Sequence, residues 1–437
     1  MDKKITKIVG EEIKDSRGNP TIKVTVWVGD ESGSFAVPSG ASTGAHEAHE
    51  LRDPEPEQAR YGAGPDGKGG MKKAIWNVEN IIAPALIGQN VLNQEVIDRM
   101  MIKLDGTPNK DNLGGNALIG VSIACAKVAA KVFSLETFEY LRTLAKIKPS
   151  RKIPYLYMNL INGGKHAKNE LAFQEYHIVP STEDVSEAME MGIKIQNSLK
   201  EIISKDLGGE SIVFGDEGGF APKISDVKKP LEYLSKAIKQ NNLVDKVRLA
   251  LDVASSSFFE NPARNASGIA DAGGGKYKID SKEITKEELI SVYNSLIREF
   301  DLLSIEDPFD EEDFSSFRKL RENNKKLFRP RSSLLVVGDD LTVTNKILLE
   351  KAIGEKSINA MIIKPNQIGT LTETLETMKK ARENDVELII SHRSGETEDD
   401  FIADLAYAFG CFGLKAGSPQ KPERMVKYKR LIKISEM

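Results

Sequence analysis

Eight apolar runs in the second two-thirds of the chain each end in a side chain that could do chemistry. They are FQE at Glu175, FGDE at Glu217, ALD at Asp252, SIED at Asp307, VVGD at Asp339, IIK at Lys364, ISHRS at Ser394 and GLK at Lys415. Asp252, Glu306 and Asp339 offer hard oxygen ligands with no thiolate or imidazole among them. That set suits Mg²⁺, which takes a few carboxylates and completes its octahedron with water or substrate oxygen. Strand-end acids also serve as caps and ion-pair partners, a reading that fits Asp307 and Asp340 at least as well. Lys364 and Lys415 end two further runs. A lysine beside a divalent cation and another ammonium is driven toward its neutral form, and a neutral lysine is a base. The alternative is a surface lysine lying over a strand end.

These groups need elements that bring them together. A strand covered on both faces reads as a continuous apolar run, as do VRLALDVA, LLSIEDP, LLVVGDD, AMIIKPN and ELIISHRSG. Helical stretches such as TKEELISVYNSLIREF and LTETLETMKKAREN alternate with them, which is the βα pattern. The expected fold is therefore α/β, a (β/α)8 barrel whose C-terminal strand ends converge on one mouth. A barrel takes about 250 residues, and the chain has 437, so a second domain is expected at the N-terminus. There ITKIVGEEI, TIKVTVWV and SGSFAVP read as an antiparallel meander, followed by helices. The division expected is an α+β cap over residues 1–140 and a barrel over 141–437. The segments Pro38–Gly44 and Ile161–Ala167 carry glycines where a closing lid needs backbone freedom.

Composition narrows the class further. The formal net charge is -4 with basic residues dispersed, which gives no sequence-wide footprint for nucleic acid or anionic lipid. Cys125 and Cys411 lie in apolar contexts and read as reduced core residues. The N-terminus has no signal-peptide core, and no run approaches the ~18 apolar residues of a membrane span. The expectation is a cytoplasmic protein with no nucleic-acid and no membrane partner.

The motifs SRGNPT, PSGASTG, LDGTPNK, NLINGGKHA, GDEGGFAP, SIEDPF, GDDLTVTN, IIKPNQIGT and ISHRSGETEDDFIADL together resemble the enolase family. The resemblance runs from about Asp15 to about Arg430. It implies Mg²⁺-dependent, reversible dehydration of 2-phospho-D-glycerate to phosphoenolpyruvate through an enolate intermediate. By similarity Lys364 removes the C2 proton and Glu217 protonates the departing C3 hydroxyl, with Glu175 supporting Glu217 and Gln174 contacting substrate. Asp252, Glu306 and Asp339 are implied to hold one Mg²⁺ against the substrate carboxylate, with Lys415 adding positive charge. A second Mg²⁺ is implied to arrive with substrate, taking Ser42 as its protein ligand. Arg393 and Ser394 match the phosphate-binding pair. His166 and His392 line the site in the family, where structural roles stand beside proton transfer. The family also implies a homodimer or an assembly of dimers.

The chain departs from the family pattern at Ser257, at Lys23, in the segment 261–275 and in KPER at 421–424. Lys23 is expected to alter an inter-subunit ion pair. Two alternatives to an active enolase are a lyase acting on another carboxylate and a non-catalytic binding protein on the same scaffold. The complete set of expected residues argues against both. His46, His49 and His177 invite solvated or structural readings.

Overall fold

The computed structural model describes residues 3–41, 44–54, 68–260, 275–325 and 334–437. Three antiparallel strands open the chain: β1 (Lys7–Lys14), β2 (Pro20–Val28) and β3 (Glu31–Ala36). The first turn is held by Asp15, whose Oδ1 accepts the Arg17 and Asn19 amides at 2.9 and 2.8 Å. The second is a two-residue loop in which Gly29 supplies the positive φ of 58°. Ile22, Val24, Val26 and Val28 of β2 are buried at period two. They face the helix Gly115–Val132, which lies so close that a Cβ on Gly33 would stand 2.3 Å from the Val128 amide nitrogen. Contrary to the sequence expectation, this helix is long and apolar enough by composition to cross a membrane, but its apolar surface is spent against the meander and 83% of it is buried.

The barrel strands are β4 (Tyr155–Asn162), β5 (Glu175–Pro180), β6 (Val247–Asp252), β10 (Ser304–Glu306), β11 (Leu335–Gly338), β12 (Ala360–Ile363), β13 (Glu387–Ser391) and β14 (Gly413–Lys415). A separate small sheet holds β7 (Phe259–Glu260), β8 (Lys276–Ile279) and β9 (Lys282–Ile284). The barrel closes in the order β10-β11-β12-β13-β14-β4-β5-β6. Its interior is filled by Tyr157, Val179, Ala250, Leu303, Val337 and Ile362, among others, while the alternate residues pack outward against helices. Both faces are thus apolar, which is why these strands read as unbroken hydrophobic runs.

Two of the eight runs do not end strands. β5 pairs antiparallel with both β4 and β6, so Glu175 begins its strand. The other barrel strands run parallel to one another. Because β5 is reversed, its first residue reaches the same mouth as the last residues of its neighbours. Glu217 sits in a loop, and the strand beside it is β4, which ends in Asn162. Ile161 belongs to β4, so the second expected loop begins only at Gly163. Lys23 faces Glu11 across β1 and β2 and meets its carboxylate at 2.8 Å, a pair within the chain. Ser257 lies in the short 3-10 turn Ser255–Phe258, and residues 261–274 fall outside the described residues. Cys125 and Cys411 are free and buried, as expected.

Candidate active site

Register places the acids. Glu306 pairs with Asp252 in the parallel ladder of β10 and β6, so the two carboxylates leave neighbouring strands at one level. Lys415 ends β14 and reaches between them, donating to Asp252 Oδ2 at 2.8 Å and to both Glu306 oxygens at 3.0 Å. Its Nζ also lies 3.4 Å from Glu175 Oε1. Lys364, just past β12, donates to Asp339 Oδ2, whose other oxygen accepts Gln367 Nε2 at 2.9 Å.

The second cluster surrounds Glu217. Asn159 on β4 donates to its Oε2 at 2.9 Å, and His392 Nε2 stands 3.4 Å from the same oxygen. His166 Nδ1 lies between Glu175 and Glu217, at 3.4 and 3.6 Å. His177 Nε2 meets the far oxygen of Glu175 at 2.8 Å. Arg424 contacts His392 Nδ1 and donates to the Arg393 and Ser394 carbonyls, both at 2.7 Å. Gln174 reaches toward Asp252 Oδ2 at 3.4 Å.

Arg393 grips Glu47 with both terminal nitrogens, at 2.9 and 3.2 Å, in the fork geometry that also fits phosphate. Ser394 Oγ accepts the Ala41 amide at 2.7 Å, tying the first glycine-rich loop to the mouth. Ser42 itself lies outside the described residues.

Electrostatics follow from burial. It raises the proton affinity of Asp252, with Lys415 opposing, and raises that of Glu306 strongly, with the Asp252 charge adding to it. Burial would neutralise Lys415, yet Asp252, Glu175 and Glu306 hold it a firm ammonium. Burial likewise lowers Lys364, but the Asp339 carboxylate outweighs it. In its pairing with Asp339, Lys364 is thus held as an ammonium. Burial and the Glu175 charge push Glu217 up, yet the imidazoles of His392 and His166 outweigh them and keep it ionised. His166 is drawn toward its charged form, since Glu217 and Glu175 overcome its burial.

Residues 5–141 match the pattern described as "Enolase, N-terminal domain", and residues 150–437 match "Enolase, C-terminal TIM barrel domain". The chain belongs to the enolase family. It is 43% identical over 437 residues to "Enolase" of Methanopyrus kandleri, covering 99% of this chain and 96% of that one. It is 43% identical to "Enolase" of Methanocaldococcus jannaschii (99% and 95% covered) and 42% identical to "Enolase B" of Dictyostelium discoideum (99% and 94% covered).

Enolase membership carries use of Mg²⁺, and the donors present fit a hard divalent ion. They are all oxygens, buried, and compensated mainly by two lysines. Among the described residues, the donor groups already close enough to share an ion are Asp307 with Asp339 and Asp340, and His166 with Glu175 and Glu217. Asp252 and Glu306 both meet Lys415, while Asp339 meets Lys364. Asp307 has a second use, accepting the Asp339 and Asp340 amides at 3.0 and 2.7 Å.

Ten of the sequence-expected residues line one small cavity: His166, Gln174, Glu175, Glu217, Asp252, Lys364, His392, Arg393, Ser394 and Lys415. Glu306 and Asp339 adjoin it through the lysines. Sequence reasoning missed Asn159, Glu47, Gln367 and Arg424, and gave His177 no catalytic neighbour. None of these stands at the end of an apolar run. Three carried a signal: Asn159 falls within the motif NLINGGKHA, Gln367 falls within the motif IIKPNQIGT, and Arg424, in KPER, falls where the chain departs from the family pattern.

Proposed function

We infer that Lys364 and Glu217 carry the two proton transfers of the reaction this enolase catalyses, the reversible dehydration of 2-phospho-D-glycerate to phosphoenolpyruvate and water in glycolysis and gluconeogenesis. One observation carries the assignment. In the closed ring of eight strands, β12 with Lys364 stands four places from β5 with Glu175 and three from β4, which holds Glu217 through Asn159. Base and acid thus approach a bound molecule from opposite walls, as elimination from adjacent carbons requires.

Lys364 acts as the base once its ammonium proton has gone to solvent, a loss that a divalent ion drawing Asp339 away from it would favour; the neutral Nζ then takes the C2 proton, and the electron pair left on C2 spreads into the neighbouring carboxylate. The C3–O bond then breaks, and Glu217 gives its proton to the departing hydroxyl, which leaves as water. Glu217 is ionised in the pairing described, so it needs a proton before this step. The anionic substrate raises its proton affinity, and His166, held charged between two carboxylates, is placed to supply one. Glu175, fixed by His177 and Lys415, keeps His166 in position. Arg393 and Ser394 hold the phosphate, Gln174 contacts the substrate, and Lys415 faces its carboxylate. Asp252, Glu306 and Asp339 would hold the Mg²⁺, whose positive charge would offset the charge that develops on the substrate carboxylate. Ser42 is the protein ligand proposed for a second ion that enters with substrate.

A homodimer or an assembly of dimers is proposed for the protein. We place it in the cytoplasm, in keeping with two free, buried cysteines. The test follows ultraviolet absorbance of phosphoenolpyruvate after mixing 2-phosphoglycerate, Mg²⁺ and protein. Turnover is expected with metal, none with a chelator, and about 10²–10⁴-fold less in Lys364→Ala. Undiminished turnover in Lys364→Ala sinks the base assignment.

A further inference from the structure

At the end of the barrel opposite the catalytic mouth, the stretch 142–152 reads RTLAKIKPSRK, five cations in eleven residues with no acid among them. It leads into the first residue of β4, while Gly410 leads into β14, so both approach the N-terminal strand ends. Ser150 and Arg151 donate their amides to the Gly410 carbonyl at 2.9 and 3.1 Å, which pins the stretch beside the helix Phe401–Ala408. Between them lies a cavity of about 630 Å³, within the roughly 300–1,000 Å³ of small-molecule pockets.

The rim is cationic and the floor is not. Arg142, Lys146, Lys148, Arg151 and Lys152 surround an interior lined by Ile147, Pro149, Tyr407 and Phe409. Both arginines are fixed. Arg142 donates to the Ala408 carbonyl at 3.0 Å and lies over the Phe138 and Tyr407 rings, and Arg151 stacks on Tyr155 at 3.4 Å. One acid approaches the rim, Glu183, at 3.8 Å from Arg151. Lys146, Lys148 and Lys152 have no acidic partner among the described residues and are exposed. Positioned charge of one sign over an apolar floor recognises an anion with an apolar body. The catalytic reaction uses none of these residues.

We propose that this cavity binds an organic phosphate of nucleotide size, its phosphates on the lysine rim and its flat base on the Ile147–Pro149 and Tyr407–Phe409 floor. The probe is ATP carrying a fluorescent ribose label, titrated into the full-length protein with Mg²⁺ and saturating 2-phosphoglycerate, so that the catalytic phosphate site is filled. Saturable binding is expected, weakened by added salt as exposed charges are screened. The triple variant Lys146→Ser, Lys148→Ser, Lys152→Ser should lose about tenfold or more in affinity, with turnover of 2-phosphoglycerate unchanged. Inorganic tripolyphosphate should compete more weakly than unlabelled ATP, because it has nothing to place on the floor. The proposal is overturned by absence of binding at millimolar probe, by equal affinity in the triple variant, or by tripolyphosphate matching ATP.

Discussion

Lys415 and Glu306 sit on β14 and β10, four places apart in a ring of eight strands, and their side chains still meet at 3.0 Å across the barrel mouth. Glu175 and Asp252 reach the same ammonium from β5 and β6. Lys415 thus acts as the central countercharge for three buried acids contributed by three strands.

Replacing it exposes that dependence. In Lys415→Met the acids keep their burial and lose their partner, and breaking a buried ion pair from one side costs about 3–5 kcal/mol. A fall in stability of that order is expected in chemical denaturation with a chelator present, along with loss of turnover. An unchanged denaturation midpoint would refute the countercharge role.

Lys364 and Glu217 should separate by step. General acid–base groups contribute roughly 10²–10⁴-fold, so Lys364→Ala and Glu217→Gln should each lose about that much turnover. Exchange of the C2 hydrogen with deuterated solvent distinguishes them. Glu217→Gln should retain exchange, because the base still works, and Lys364→Ala should lose it. The reverse pattern would exchange the two roles.

Arg393→Lys keeps the charge and loses the fork. A hydrogen bond to a charged group contributes about 1.5–3 kcal/mol, so KM for 2-phosphoglycerate should rise about 10- to 100-fold, with a smaller change in kcat. The variant also frees Glu47 from its bidentate partner. Steady-state kinetics at saturating Mg²⁺ measures both constants, and an unchanged KM would remove Arg393 from phosphate binding.

Asp98 lies in the N-terminal part of the chain, on the helix Gln94–Asp105. It accepts the Thr372 amide at 2.9 Å and hydroxyl at 2.6 Å, joining the helix Gln94–Asp105 to the helix Leu371–Glu383. Burial raises its pKa above the ordinary 3.8, against the bonds from Thr372, Ser122 and Gln94. The folded state therefore binds a proton more tightly than the unfolded one. Stability from this group falls as pH rises from about 4 through the raised folded value. Asp98→Asn removes the titration, so its Tm relative to the parent should improve from pH 4.5 to pH 8. A constant difference would contradict the raised value.

Much of this was legible along the chain. Runs such as AMII before Lys364 and LALD before Asp339's counterpart Asp252 are apolar because both strand faces are covered, so they announce a barrel locally. The direction of β5 was not legible. FQE175 looks like the end of a strand because its composition resembles the others, and only pairing with β4 and β6 reveals Glu175 as a beginning. Glu217 misled in a similar way, since FGDE resembles a strand end but lies in a loop held by Asn159. Lys23 meets Glu11 within its own sheet, a contact fixed by hairpin register.

The sequence by itself determined the chemical inventory: carboxylates, two lysines and an adjacent arginine and serine, each attached to a local pattern of burial. Tertiary structure decided which charges neutralise which. Barrel closure carries Lys415 across to Glu306 and Asp252, sets Lys364 against Asp339, and brings Glu47 to Arg393 from 346 residues away. Periodicity and propensity act over a few neighbouring residues, whereas these pairings follow from strand order and ring closure, and their energies depend on burial that exists only after folding.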